Sequence, residues 1–340
     1  MTLREPAGAG AGTYFEGIHA QPHALSVLTS ALRTGRVASS YLFEGPAGVG
    51  KQLAALALAK AHLTQLGASP DTMLRVASGN HPDVRVFEPR EEGKGNVQVA
   101  YLREEILPLA QYAPFEAQAT FFIFPRADVS FPETVPGAAN ALLKTLEEPR
   151  QAVHFILLAE RPDRLLSTIR SRCQRVRFYP LPHEELERIL AKHDIAPELR
   201  GPAIALSGGS AERALRLSED GVADRLLKLA FQVDDVTRGA RVGDYVDAAA
   251  ALAAETDVQQ GLDTLVAFYR DIAAAALGAR PEELAFRHVA GEIEARARTL
   301  GARRAAARVA AITSVFEGLD RNANPRVTMD ALVYELRHAH

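Results

Sequence analysis

The 340-residue sequence has one cysteine, Cys173, no marked excess of either charge and no apolar run approaching membrane length. A single thiol forms neither a disulfide within the chain nor a cysteine-rich zinc site, and this usage points to the cytosol. Lys and Arg number 39 against 42 Asp and Glu, a net charge of −3. That excludes a strongly basic, freestanding nucleic-acid binder, so any contact with nucleic acid is local or shared with partners. The longest apolar candidates, such as Phe155 to Ala159, are strand-sized, which excludes a membrane span. The opening MTLREPAGAGAG lacks the apolar core of a signal peptide, and residues 1–12 read as a disordered lead-in. What is present, 47% hydrophobic and 24% charged residues, is ordinary globular composition, with length for two to three domains.

From about Tyr14 to Pro180 short apolar runs alternate with helical stretches. The runs are Ser40–Glu44, Asp83–Phe87, Thr120–Phe124, Val153–Ala159 and Arg175–Tyr179. Continuous apolar runs suit parallel strands buried on both faces. Helices are expected between them, among others over Lys51–Gln65, Val99–Gln111 and Ala138–Glu148. The alternation predicts an α/β domain with a parallel sheet over residues 1–179. After Pro180 and Pro182 the strand signal ends, and 32 of the chain's 60 alanines lie from Gly201 onward. Alanine has the highest helix propensity, so this half reads as helical, punctuated at Gly208-Gly209, Gly221, Gly278, Pro281 and Gly301. A small helical domain is expected over 180–222 and a helical bundle over 223–340.

Tyr41-Leu42-Phe43-Glu44 runs as a strand into Gly45-Pro46-Ala47-Gly48-Val49-Gly50-Lys51-Gln52 and then a helix. This is the setting of a phosphate-binding loop, in which glycines let successive amides converge on phosphate and a lysine adds charge. The candidate phosphate-binding residues are Gly45, Gly48, Gly50 and Lys51. The motif asks for Ser or Thr at position 52 to ligate magnesium, and Gln52 stands there instead. A glycine turn without a ligand is the alternative reading.

An ATPase of this kind needs a second strand ending in acids that hold magnesium and position water. The strand Thr120–Phe124 is followed by Pro125-Arg126-Ala127-Asp128, with proline and arginine where the acids belong. Together with Gln52 this argues against hydrolysis. Arg161, Arg164, Arg170, Arg172, Arg175 and Arg177 crowd the segment before the last strand. They read either as a solvated or nucleic-acid-facing basic surface, or as the source of an arginine finger acting on another subunit's ATP. The histidines are scattered singly and read as solvated or core residues rather than metal ligands.

Asn140-Ala141-Leu142-Leu143-Lys144-Thr145-Leu146-Glu147-Glu148-Pro149, Ser171-Arg172-Cys173 and His81-Pro82-Asp83, in this order with the phosphate loop, resemble the AAA+ clamp-loader subunits of bacterial DNA polymerase III, within them the delta-prime class. The specific motifs cover about residues 14–180. The resemblance implies an AAA+ RecA-like domain, a helical lid (180–222) and a helical collar (223–340). It further implies a non-hydrolysing member of a hetero-oligomeric ring with gamma/tau and delta subunits, which opens a sliding clamp and loads it on primer-template DNA. Arg172 would be the finger, acting in trans on a neighbouring gamma/tau ATP.

Several departures bear on this. Gln65 to Asn80 lacks the four cysteines of many relatives, so no zinc is expected. The Ser130–Gly137 loop reads as longer than usual. Glu160 stands where hydrolysing relatives place a phosphate-sensing Thr or Asn, and Glu212 where they keep a sensor arginine, with Arg213 one step off, about 100° around a helix. No cofactor is required on this reading, and ATP or ADP would be held weakly if at all. An active gamma/tau-type ATPase and an unrelated stand-alone P-loop NTPase remain the alternatives.

Overall fold

A computed structural model describes residues 14–88, 99–132, 136–239, 242–255, 258–319 and 324–338. The expected lead-in, 1–12, and residues 133–135 of the Ser130–Gly137 segment lie outside the described residues. The chain divides into two compact units, Met1–Pro182 and His183–His340.

The first unit is an α/β layer structure. Helix α1 (Pro22–Thr34) precedes β1 (Ser40–Glu44), which runs through the phosphate loop into α2 (Lys51–Gln65). Then come α3 (Pro70–Ala77), β2 (Val84–Val86), α4 (Val99–Tyr101), β3 (Thr120–Phe124), α5 (Ala127–Ser130), α6 (Pro136–Glu147), β4 (Val153–Ala159), α7 (Ser167–Arg170) and β5 (Gln174–Arg177). All pairings are parallel, in the order β2-β3-β4-β1-β5. Strands β1, β3 and β4 are buried at every residue, as their unbroken apolar runs predict. Side chains alternate between two cores: Tyr41, Phe43, Phe121 and Ile123 pack on the α1–α2 side, Leu42, Phe122, Phe124 and Leu157 on the α6 side.

The element ends depart from the sequence reading for local reasons. The strand expected to reach Tyr179 stops at Arg177, because the Gln21 side chain takes over the backbone of Tyr179. Its Nε2 donates to the Tyr179 carbonyl at 2.7 Å and its Oε1 accepts from the Tyr179 N–H at 2.9 Å. The helix expected over Val99–Gln111 starts as α4, widens into a π-turn at Leu102–Ile106 and ends as a 3-10 turn at Leu109–Gln111. Pro108, which has no N–H to donate, sits at that last change. Asp83 and Phe87 flank β2 rather than belonging to it. Helix α6 starts two residues early, inside the expected loop, and Ser130 closes α5. The cysteine-free stretch Gln65–Asn80 folds largely as α3, capped by Ser69 Oγ, which accepts from the Thr72 N–H at 3.3 Å.

The described residues of the second unit are helical and connecting segments throughout. They form α8 (His183–Lys192), α9 (Pro197–Ser207), α10 (Ala211–Ser218), α11 (Val222–Thr237), α12 (Val242–Ala254), α13 (Val258–Ala276), α14 (Ala290–Leu319) and α15 (Pro325–His338). The boundary expected near residue 222 falls at the start of α11, inside this unit. Gly301, at φ 75° and ψ 160°, interrupts α14 with a conformation that residues with a Cβ rarely adopt. Among the described residues no helix is long and apolar enough to cross a membrane.

Candidate functional site

In open parallel sheets ligands bind beyond the carboxyl ends of the strands, where the strand order reverses. Here that place is the end of β1, between β4 and β5. Gly45, Gly48 and Gly50 have φ of 149°, 64° and 99°, so the backbone curls as a phosphate cradle requires. Gly45 has a second duty, since a Cβ there would stand 2.3 Å from the Phe178 carbonyl oxygen. The Lys51 side chain is buried, and its ammonium donates to the carbonyls of Gly45 at 2.6 Å and Pro46 at 2.5 Å. The structure therefore brings the four predicted phosphate-loop residues together, with Lys51 turned onto the loop itself.

The magnesium side is different. Gln52 is exposed on the first turn of α2. Pro125 is buried and has no ligand to give, and Arg126 is exposed in the left-handed region at φ 53°. Asp128 is buried, and its Oδ2 accepts from the Arg161 N–H at 2.9 Å, tying the turn after β3 to the end of β4. Its Oδ1 has no partner among the described residues, but no group of three His, Cys, Asp or Glu side chains forms there or elsewhere among them. Glu160 is exposed at the end of β4. The loop fits a phosphate; the residues around it do not fit a catalytic magnesium ion.

Arg172 lies in the turn before the amino end of β5, whereas the phosphate loop follows the carboxyl end of β1. Gln174, the first residue of β5, is in register with Tyr41, four residues before Gly45. At about 3.3 Å per residue that is about 13 Å along the strand, beyond the reach of an arginine side chain. Its Nη1 donates to the Thr168 carbonyl at 2.9 Å, and its Nη2 pairs with Glu147 Oε1 at the end of α6. The neighbouring arginines form no uniform basic face, because Arg175 and Arg177 both turn to the buried Glu44. Cys173 is buried, and burial pushes its thiol up to about 12, so it is not a reactive cysteine.

Residues 20–182 match the family described as "DNA polymerase III, delta subunit". The match spans just under half of the chain. The DNA polymerase III subunit delta' of Bacillus subtilis (strain 168) is 29% identical over 326 residues, 93% of this chain and 96% of its own length. The subunit delta' of Pseudomonas aeruginosa is 35% identical over 199 residues, 55% of this chain and 58% of its own. The subunit tau of Escherichia coli (strain K12) is 33% identical over 212 residues, but these cover 59% of this chain and 31% of tau. The resemblance to delta-prime subunits of DNA polymerase III read from the motifs thus holds, as does the expected architecture of a parallel sheet followed by helices.

The family's other motif positions have local duties that the sequence did not reveal. Asp83 of His81-Pro82-Asp83 is buried, and its carboxylate accepts from the N–H groups of Phe115 at 2.6 Å and of Glu116 and Ala117 at 2.9 Å. Buried His81 accepts the Asp83 N–H at Nδ1, 3.1 Å, and places Nε2 3.2 Å from Glu116 Oε1. Glu212 is exposed, whereas Arg213 is paired with Asp263 of α13 at 3.0 Å. Glu147, Glu44 and the Asp83 clamp were missed by sequence reasoning. An exposed acid at the end of a helix motif was the available signal for Glu147; nothing in the sequence joins Asp83 to residues 32 to 34 positions later.

Proposed function

We propose that this chain is a non-hydrolysing, delta-prime-type subunit of the DNA polymerase III clamp loader. It sits in a hetero-oligomeric ring with gamma/tau and delta subunits, in the cytoplasm. Through that ring it helps open the sliding clamp and load it on primer-template DNA. In this role Arg172 acts in trans on the ATP of a neighbouring gamma/tau subunit. The observation that carries the reading is the position of Arg172 ahead of β5, away from its own phosphate loop at the carboxyl end of β1, with its side chain one-third exposed and anchored on Thr168 and Glu147. Pro125, Arg126 and Gln52 in place of acids and a hydroxyl support the absence of intrinsic ATPase. Gly45, Gly48, Gly50 and Lys51 would hold ATP or ADP weakly, without a structural zinc.

The test is steady-state ATP hydrolysis by a reconstituted clamp loader with clamp and primed DNA, comparing wild type with Arg172→Ala, alongside the isolated chain. A silent isolated chain and a slowed substituted complex are expected, since the one site that Arg172 serves loses the about 10³–10⁵-fold acceleration an arginine finger gives while sites served by other subunits keep theirs. The likeness to tau keeps one second reading, an active gamma/tau-type ATPase. Hydrolysis by the isolated chain would establish it and overturn the first.

A further inference from the structure

We infer that Glu147 is a positioning residue for Arg172, holding the guanidinium ready for the neighbouring subunit's nucleotide. The inference rests on the proposed finger role. Arg172 is fixed at two points of its own chain: Nη1 on the Thr168 carbonyl and Nη2 on Glu147 Oε1. Both anchors are surface groups on elements that pack into the core. Glu147 ends α6, whose Leu142 and Leu146 are buried; Thr168 belongs to α7, whose Ile169 is buried, and buried Cys173 follows Arg172 directly. A guanidinium carries five N–H donors in a fixed plane. Two are engaged here, leaving Nε–H and one N–H on each terminal nitrogen to meet a phosphate. The arginine side chain is long and loses much rotamer freedom when fixed. Glu147 supplies part of that ordering before the neighbour arrives, which is preorganisation toward developing charge. The side chains are 33% and 46% exposed, so the pair is weak and exchangeable, and its removal is a modest effect.

The experiment measures ATP hydrolysis against ATP concentration in the reconstituted clamp loader containing the full chain as wild type, Glu147→Gln, Glu147→Asp, Arg172→Ala or Glu147→Gln with Arg172→Ala. The expected result is a fall in kcat of about two- to fivefold for Glu147→Gln, with a smaller change in KM. Glu147→Asp recovers part of the loss, and Glu147→Gln has no further effect once Arg172 is alanine. A merely structural role would instead lower the unfolding midpoint of the chain and act equally in both backgrounds. Equal loss in both backgrounds, no loss, or a gain from Glu147→Gln while Arg172→Ala is slow overturns the positioning role alone. If Arg172→Ala leaves the rate unchanged, the finger reading fails and takes this inference with it.

Discussion

Arg175 clasps Glu44 with two N–H groups, Nε to Oε1 at 2.5 Å and Nη2 to Oε2 at 2.8 Å. Glu44 is the last residue of β1 and is buried, so its charge needs this partner. The pair holds the guanidinium charged, raising the Arg175 pKa. Replacing Arg175 by alanine leaves Glu44 with Arg177, whose Nε is 3.9 Å away. Because Arg175 is 47% exposed, the expected loss is about 1–2 kcal/mol of unfolding free energy, read by denaturant titration. Adding Glu44→Gln, which removes the stranded charge, should return part of it.

In the second unit the buried carboxylate of Asp234 gathers three arginines. Arg308 donates at 2.8 Å, Arg238 at 2.6 Å and Arg296 at 3.1 Å, and the Tyr269 hydroxyl lies 3.3 Å away. These groups join α11, α13 and α14. Asp234→Ala leaves buried Arg308 without its counter-ion, and a loss of about 3–5 kcal/mol is expected by thermal or denaturant unfolding. Asp234→Asn, which keeps an acceptor but not the charge, should fall between. A loss below about 1 kcal/mol for the alanine variant would refute the hub role.

Stability should fall on mild acidification. Burial, and secondarily the neighbouring His154, lowers His62 from 6.5 to about 4; burial also lowers His154. The unfolded chain therefore binds more protons than the folded one between those values, and stability rises with pH there. The contribution is intact above pH 6.5 and is lost as pH falls toward 4, by up to about 3 kcal/mol for His62. Unfolding titrations at pH 7 and pH 4.5 check this. His62→Phe should flatten the difference.

How far the sequence discloses the molecule depends on how local the determinant is. Strands β1, β3 and β4 and helix α2 coincide with their predicted spans because each is a continuous run with a clear boundary, such as the glycine loop after Glu44. The π-turn at Leu102–Ile106 and the early end of β5 were not legible, since one is a change of winding within a helical pattern and the other is set by Gln21, 158 residues away. The candidate site divides the same way. The loop glycines, Lys51, and the mismatched Gln52, Pro125 and Arg126 are readable by position. That Arg172 rests on Glu147, that Arg213 rests on Asp263, and that Asp83 clamps the loop at Phe115–Ala117 follow only from the tertiary arrangement.

The phosphate loop itself offers the last test. A nucleotide phosphate entering the cradle has to draw Lys51 Nζ from the carbonyls of Gly45 and Pro46, which lie 2.6 and 2.5 Å away. Magnesium would add little, because position 52 has no hydroxyl and positions 125 and 126 have no carboxylate. Titration of the isolated chain with a fluorescent ATP analogue should thus give weak affinity that changes by less than about twofold when magnesium is replaced by EDTA, a ratio worth only about 0.4 kcal/mol. Lys51→Ala should remove the binding that remains, since it deletes the loop's one ammonium. Gly45→Ala should act differently, on folding: its Cβ would meet the Phe178 carbonyl at 2.3 Å in a backbone region that side chains rarely adopt. A loss of about 2–4 kcal/mol of stability is expected there. Tight, magnesium-dependent binding by the wild-type chain would show that another group takes the place of the missing ligands.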